Sequence, residues 1–460
     1  MLRFLRPFLI LLFYFLTVNA FSAEIVGEMR GVWLPAWEFP TKERLLEVIG
    51  QIKAANFNTI FMEVRFRSDA LYIPNKNNHL YPNAEGRSSF ILEGGEDYDP
   101  LELAIEEAHR LGMELHAWVT VYVATRKDSS PADYNYPEDW LSCRANGNLQ
   151  DSSGQYWLDP GAPGVNEYLA NVFLDIISNY DLDGFQLDYM RYEQGFGYNP
   201  VSVARFQEAT GTTVQKDASA FDQWRRDAVT DLVKRLRQGI DWLRPGMPLS
   251  VAVFGSLSTA QGEIFQDWPS WIDQDLVDFV VPMCYSESSE EMASYAQVDL
   301  QSAPKNRVVI GLGILPRKNG KLDQPESLVE RVNRCKELGS PGVVFFAYGG
   351  LADEGGKRFR VVKDNFYSKF LPPPIYRLPV NFSYPIVQLS GVDGKIYSLR
   401  VLEKVPHRHA LMVARLMTSY TSAPVFVNED SGWFDVFVGK ESSISDINKL
   451  RKEMEDAQTN

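Results

Sequence analysis

The chain has 460 residues, 45% hydrophobic and 13% aromatic, with a formal net charge of −14. It is too long for one compact domain of ~100–200 residues and suits a barrel of ~250 residues plus an appendage. The acidic balance argues against nucleic acid or an anionic membrane as main partner, and 3 cysteines, an odd count, give no disulfide framework.

The chain opens MLRFLRPFLILLFYFLTVNA. Arg3 and Arg6 form a positive n-region, Phe8 to Val18 is an apolar run of 11 residues, and Val18-Asn19-Ala20 offers a cleavage site. This pattern predicts a signal peptide over 1–20 and a periplasmic or secreted address. The run falls short of the ~20 apolar residues of a membrane span, so no span is expected after cleavage.

Strand-like runs at 30–37, 59–66, 114–123, 183–190, 248–255, 278–285, 307–314 and 342–349 follow one another along the chain. Helical patterns separate most of them, at 41–55, 100–111, 164–179, 219–243, 289–302 and 325–338, and a last helix is expected at about 354–369. The stretch between the fifth and sixth strands is short and less clearly helical. Eight strands with intervening helices predict the α/β class, a (β/α)8 TIM barrel over 28–370. No Gly-rich phosphate loop follows the first strand, which argues against an open doubly wound sheet. Polar connections at 67–99 and 124–163 belong at the C-terminal rim and favour an open cleft for an extended substrate.

LPPPIYRLP at 371–379 reads as a Pro-rich linker, because three consecutive prolines favour extended chain. Residues 380–460 read as a small α+β unit. KIYSLRVL, APVFVN and WFDVFVG are its expected strands, HRHALMVARLMTSY and SISDINKLRKEMEDA its helices, and SYPIVQLSG a possible edge strand.

Side chains alternate along a strand, so residues two apart share a face. That rule turns Glu63 and Arg65, His116 and Trp118, Gln186 and Asp188, Met283 and Tyr285, and Trp33 to the lumen, with Phe185, Leu187 and Cys284 facing the helices. Glu63, Arg65, His116, Gln186, Asp188 and Tyr285 then converge, walled by Trp33 and Trp118. Glycosidic cleavage needs two carboxyls across the bond, and aromatic faces suit sugar rings. Asp188 is the expected proton donor. Its partner stays open among Glu63, Asp159 in YWLDPG, Glu193 and Asp69, because VVIGLGI on the seventh strand has no acid. Glu63, on a strand, is best positioned. The plainer readings are a buried ion pair of Glu63 with Arg65 or Arg191, a core role for His116, and a turn role for Asp183. There is no C-x-x-C and no Cys/His cluster, and the 5 His are scattered; neither a metal nor another cofactor is expected.

EMRGVWLPAW, FNTIFMEVRFRSDALY, YDPLELAIEEAHRLGMELHAWV, YWLDPGAPGVNEYL, YDLDGFQLDYMRY and VPMCY together resemble the glycosyl-hydrolase-like barrel family distantly related to family-10 hydrolases. The resemblance covers about 28–350. It implies an exported barrel acting on cell-envelope glycan, as does a divisome-localised member that hydrolyses peptidoglycan strands lacking stem peptides. Arg65, Asp69, Asp159, Asp188 and Arg191 match recurring site positions of that family. Glu63-Val64-Arg65-Phe66 departs from its frequent Gln-Val-Arg-Pro, and Glu193 stands where a Pro often follows Arg-Tyr. The tail resembles a SPOR domain, a ferredoxin-like module that binds such stripped glycan, through WFDVFVGKESSISDINKLRKEM and YSLRVL. The expected function is a peptidoglycan glycan hydrolase. The alternatives are a catalytically inactive glycan-binding scaffold or a hydrolase of another exported amino-sugar polymer.

Overall fold

The computed structural model describes residues 21–459, apart from 127–128, 245, 287, 315–323, 380–385, 392–393, 406–412, 415–416, 418–420, 431–432 and 442. The expected signal segment 1–20 lies outside the described residues, as does most of the tail's first expected helix, in which Val413, Ala414 and Met417 are helical.

The strands run β1 (Phe21–Val26), β2 (Met29–Leu34), β3 (Thr59–Phe66), β4 (Asp69–Ala70), β5 (Glu114–Thr120), β6 (Gly184–Asp188), β7 (Leu249–Phe254), β8 (Phe279–Met283), β9 (Ile310–Gly313) and β10 (Gly342–Phe346). β2, β3 and β5 through β10 pair in parallel, and β2 pairs with both β3 and β10, so the sheet closes into a (β/α)8 barrel. β4 is a short antiparallel return on β3. Each barrel strand falls within or beside a run expected from sequence.

The helices are α1 (Lys42–Ala54), α2 (Pro100–Arg110), α3 (Val165–Asn179), α4 (Pro200–Thr210), α5 (Ala218–Leu243), α6 (Leu257–Gly262), α7 (Trp268–Asp273), α8 (Ser289–Gln301), α9 (Pro325–Leu338) and α10 (Tyr348–Asn365). α1 shows why they form: Thr41 caps it by accepting from Arg44 N, and Leu45, Val48, Ile49 and Ile52 bury one stripe against the strands. α4 is absent from the sequence reading, although Asn199 at its cap and Pro200 behind it are start signals. The unclear stretch between the fifth and sixth strands holds α6 and α7. α10 begins earlier than expected and breaks at Asp353–Gly356, where the backbone leaves helical angles.

The lumen is filled in layers. Trp33 and Gln186 occupy the middle, where Trp33 Nε1 donates to Gln186 Oε1 at 2.6 Å. Below them lie Phe61, His116 and Phe279. Two glycines make space here: a Cβ on Gly184 would stand 2.3 Å from His116 Nδ1, and one on Gly311 would stand 3.0 Å from the Trp33 ring.

Residues 371–379, read as a linker, contain a strand, β11 (Ile375–Pro379), paired antiparallel with β1. Extended chain primed by prolines has been recruited into a ladder. Its Tyr376 stacks on Phe279 at 5.1 Å and meets His116 edge-on at 5.4 Å, so it plugs the barrel floor. Beyond it, β12 (Ile386–Gly391), β13 (Gly394–Val405), β14 (Val425–Asp430) and β15 (Trp433–Glu441) form an antiparallel sheet in the order β12-β13-β15-β14. Helix α11 (Ile444–Thr459) buries Ile447, Leu450 and Met454 on one face of this sheet, against Leu399, Val401, Val436 and Val438.

If Tyr376 is the floor of the barrel, Tyr376→Ala should cost about 3 kcal/mol of unfolding free energy, read as a lower denaturant midpoint of the barrel transition. An unchanged midpoint would return 371–379 to the status of a linker.

Candidate active site

At the mouth of the lumen, β3 and β6 deliver two carboxyl groups into one buried space. Asp188 is 7% exposed and Glu63 is 2% exposed. Asp188 Oδ2 accepts from Trp118 Nε1 at 3.1 Å, and Oδ1 accepts from the Tyr189 backbone N–H at 2.6 Å. Tyr189 itself has a left-handed backbone, φ +51°, a conformation that costs about 1–3 kcal/mol in a non-glycine residue and collects at functional sites. Glu63 Oε2 accepts from Ala36 N at 3.1 Å, and Oε1 has no partner among the described residues.

Burial pushes the Glu63 carboxyl up to about 8; the Ala36 N–H and the Arg67 charge oppose that rise and the Asp188 charge adds to it. Burial also raises Asp188, against the pull of the Tyr189 N–H, the Trp118 N–H, Arg191 and Arg67. The Asp188 charge therefore bears on Glu63, whose carboxyl is raised far enough to hold a proton at neutral pH.

Aromatic and cationic groups line the opening. Tyr285 stacks on Phe346 at 5.6 Å, and its ionisation is hindered by burial and by the nearby Asp188. Arg191 pairs with Glu193 at 3.0 Å, with its guanidinium carbon 5.0 Å from the Trp157 ring and 5.2 Å from the Tyr189 ring. Trp37 is 51% exposed and rests edge-on against Phe66 at 6.3 Å, and Phe254 is 38% exposed beside Arg191. These two rings offer platforms at the rim.

Other expected site residues lie elsewhere. Arg65 faces the helical shell. Glu63 sits opposite Trp118 but Arg65 opposite Val119, a bulge that sets two residue steps against one. The alternation rule fails at that point, and Arg65 is turned to Glu85, to which Nε and Nη2 donate at 2.7–3.0 Å. Asp159 is fully buried and accepts from Ser142 Oγ, Ser202 Oγ, the Gly161 N–H and the Tyr192 hydroxyl at 2.7–3.3 Å, so it knots the long third connection to α4. Asp69 pairs with Arg126 at 3.1 Å on the rim, and burial lifts its carboxyl to about 6 despite that arginine. His116 is sealed between Phe61, Phe279 and Tyr376 on the floor. Trp33 and Gln186 are bonded to each other beneath the acids. Among the predicted residues, Asp188, Glu63, Trp118, Tyr285 and Arg191 are brought together.

Sequence reasoning missed Arg67, Tyr189, Phe346 and Trp37. Extending the alternation to the eighth strand would have found Phe346. Arg67 lies past the end of β3, in the turn to β4, where alternation no longer applies. Among the described residues, no group of three or more His, Cys, Asp or Glu is placed to hold a metal ion, and no helix is long and apolar enough to cross a membrane.

A closed parallel barrel with paired acids in an aromatic mouth has the layout of a glycoside-hydrolase barrel. Residues 28–322 match the profile described as Glycosyl hydrolase-like 10, and the chain belongs to that family. It is 25% identical over 315 residues to a protein named glycosyl hydrolase YngK from Bacillus subtilis (strain 168), covering 60% of this chain and 57% of that protein, less than two thirds of its length. It is 24% identical over 336 residues to one named glycosyl hydrolase DigH from Escherichia coli (strain K12), covering 62% of this chain and 72% of that protein. Among solved structures, the PgaB (BpsB) glycoside hydrolase domain from Bordetella bronchiseptica superposes with a TM-score of 0.56 at 14% identity, covering 73% of this chain and 98% of that one. The catalytic domain of β-amylase from Paenibacillus polymyxa gives 0.51 at 11% identity, covering 75% and 100%. At these identities the two structures share the fold.

The raised Glu63 carboxyl has a consequence for stability. A group whose folded pKa exceeds its unfolded value favours the fold below the unfolded pKa and loses that contribution as pH rises through the folded pKa. Between pH ~5 and ~8, wild type should therefore lose stability that Glu63→Gln keeps. Melting temperatures of the two proteins at both pH values test this, and a constant difference would contradict it.

Proposed function

We propose that the protein is an exported glycoside hydrolase that cleaves glycosidic bonds in peptidoglycan glycan strands, specifically strands lacking stem peptides, during cell-envelope remodelling or division. The observation that carries this reading is the Glu63–Asp188 pair, two neighbouring carboxyls buried at the aromatic-lined C-terminal end of the barrel, with the Asp188 charge felt by Glu63.

The roles differ from the sequence expectation, which made Asp188 the proton donor. Both oxygens of Asp188 accept N–H donors, a setting that favours the carboxylate. Glu63 accepts only one, at Oε2. In this reading Glu63 protonates the leaving oxygen as its bond to the sugar breaks, Asp188 opposes the positive charge that develops on the sugar, and water adds to the anomeric carbon, its proton restoring Glu63. Asp159, with its lone pairs engaged, has no part in the reaction. The tail's antiparallel sheet with a helix on one face supports a SPOR-like tether for the same glycan. Tethering raises local substrate concentration without altering the chemistry. The segment 1–20 supports export to the periplasm or beyond.

On glycan strands freed of peptides by an amidase, Glu63→Gln and Asp188→Asn should each lose about 10²–10⁴-fold in kcat. On an aryl glycoside with an acidic phenol as leaving group, Glu63→Gln should recover most of that loss and Asp188→Asn none. Equal losses on both substrates would defeat the role assignment. Binding by wild type without release of shorter oligosaccharides would identify a scaffold instead. A chain lacking 386–459 should keep its kcat on soluble oligosaccharides and lose retention on sedimented sacculi; undiminished retention would remove the tether.

A further inference from the structure

Arg67 is the guanidinium at the mouth that the fold leaves unpaired among the described residues. Arg65 has Glu85, Arg126 has Asp69 and Arg191 has Glu193. The Arg67 side chain makes no ion pair there, and its Nε is buried without a hydrogen-bond partner. Its guanidinium carbon lies 4.5 Å from the Phe66 ring centroid and 5.2 Å from that of Tyr189. Its charge reaches both Glu63 and Asp188.

The backbone holds this side chain where it is. Phe66 pairs with Asp69, so Arg67 and Ser68 form a two-residue hairpin turn. Both have left-handed backbones, φ +59° and +95°, in a turn type that prefers Asn and Gly. Arg67 N donates to Thr120 Oγ1 at 2.8 Å, and that hydroxyl donates to Arg65 O at 3.0 Å. A strained turn thus fixes an uncompensated cation in the opening. A planar guanidinium flanked by aromatic rings keeps its N–H edge for in-plane pairing, the geometry that suits a carboxylate.

We propose that Arg67 selects an anionic glycan, its guanidinium pairing with the ether-linked carboxylate of an amino sugar seated over Glu63 and Asp188. This rests on the hydrolase reading above and deepens it, since it separates carboxylated strands from neutral amino-sugar polymers. Stripping the stem peptides from peptidoglycan is what exposes such carboxylates.

The test compares amidase-treated strands, the same strands with their carboxyls reduced to alcohols, and a neutral N-acetylglucosamine oligomer. Wild type should favour the carboxylated strands by about 10-fold or more in kcat/KM, the size of one charge-assisted hydrogen bond. Arg67→Gln should lose about 10–100-fold more on the carboxylated strands than on the other two, the excess appearing mainly in KM. Arg67→Lys should recover part of the preference, which guards against misreading a folding defect. Equal cleavage of all three substrates by wild type would overturn the proposal. So would a uniform loss in Arg67→Gln accompanied by a shifted pH profile, because Arg67 would then serve only the acids. If wild type cuts nothing, the hydrolase reading fails. The same comparison made as Kd still decides the selectivity: a preference abolished in Arg67→Gln upholds it, and no preference in wild type overturns it.

Discussion

Two carboxyl groups share a space that water scarcely reaches, and the charge of Asp188 makes Glu63 harder still to ionise. The rest of the mouth answers that constraint. Trp118 and the Tyr189 backbone direct N–H dipoles at Asp188, which offsets the cost of its charge. Glu63 receives one N–H from Ala36, and burial raises its carboxyl. Arg67 and Arg191 lend positive potential from a distance without forming a salt bridge to either acid. A direct bridge would hold both acids ionised and remove the asymmetry on which acid–base work depends.

Much of this architecture was legible in the sequence, and the reasons are specific. The barrel strands alternate strongly enough that Phe185 and Leu187 face the helices while Gln186 and Asp188 face the lumen. Position along a strand was harder to read. His116 and Gln186 share the lumen with Asp188 but lie deeper, and only strand stagger and the Tyr376 plug reveal that depth.

The errors arose where local rules meet tertiary events. A bulge in β3 adds one residue, and everything after it changes face. Arg65 thereby became a shell residue locked to Glu85, whereas Arg67 reaches the mouth from the tight turn that follows the strand. Asp159 lies in a motif shared with the family, yet its hydrogen bonds organise a connection. The segment 371–379 has a linker's composition, but β1 offers it an unpaired edge, and the hydrogen bonds of a ladder outweigh the entropy of a free chain.

That pairing also orients the molecule. Phe21 lies across from Pro379, so the polypeptide enters and departs at neighbouring points beneath the barrel, on the side away from Asp188. The chain beyond Pro379 therefore sets out toward the tail from the underside, opposite the opening.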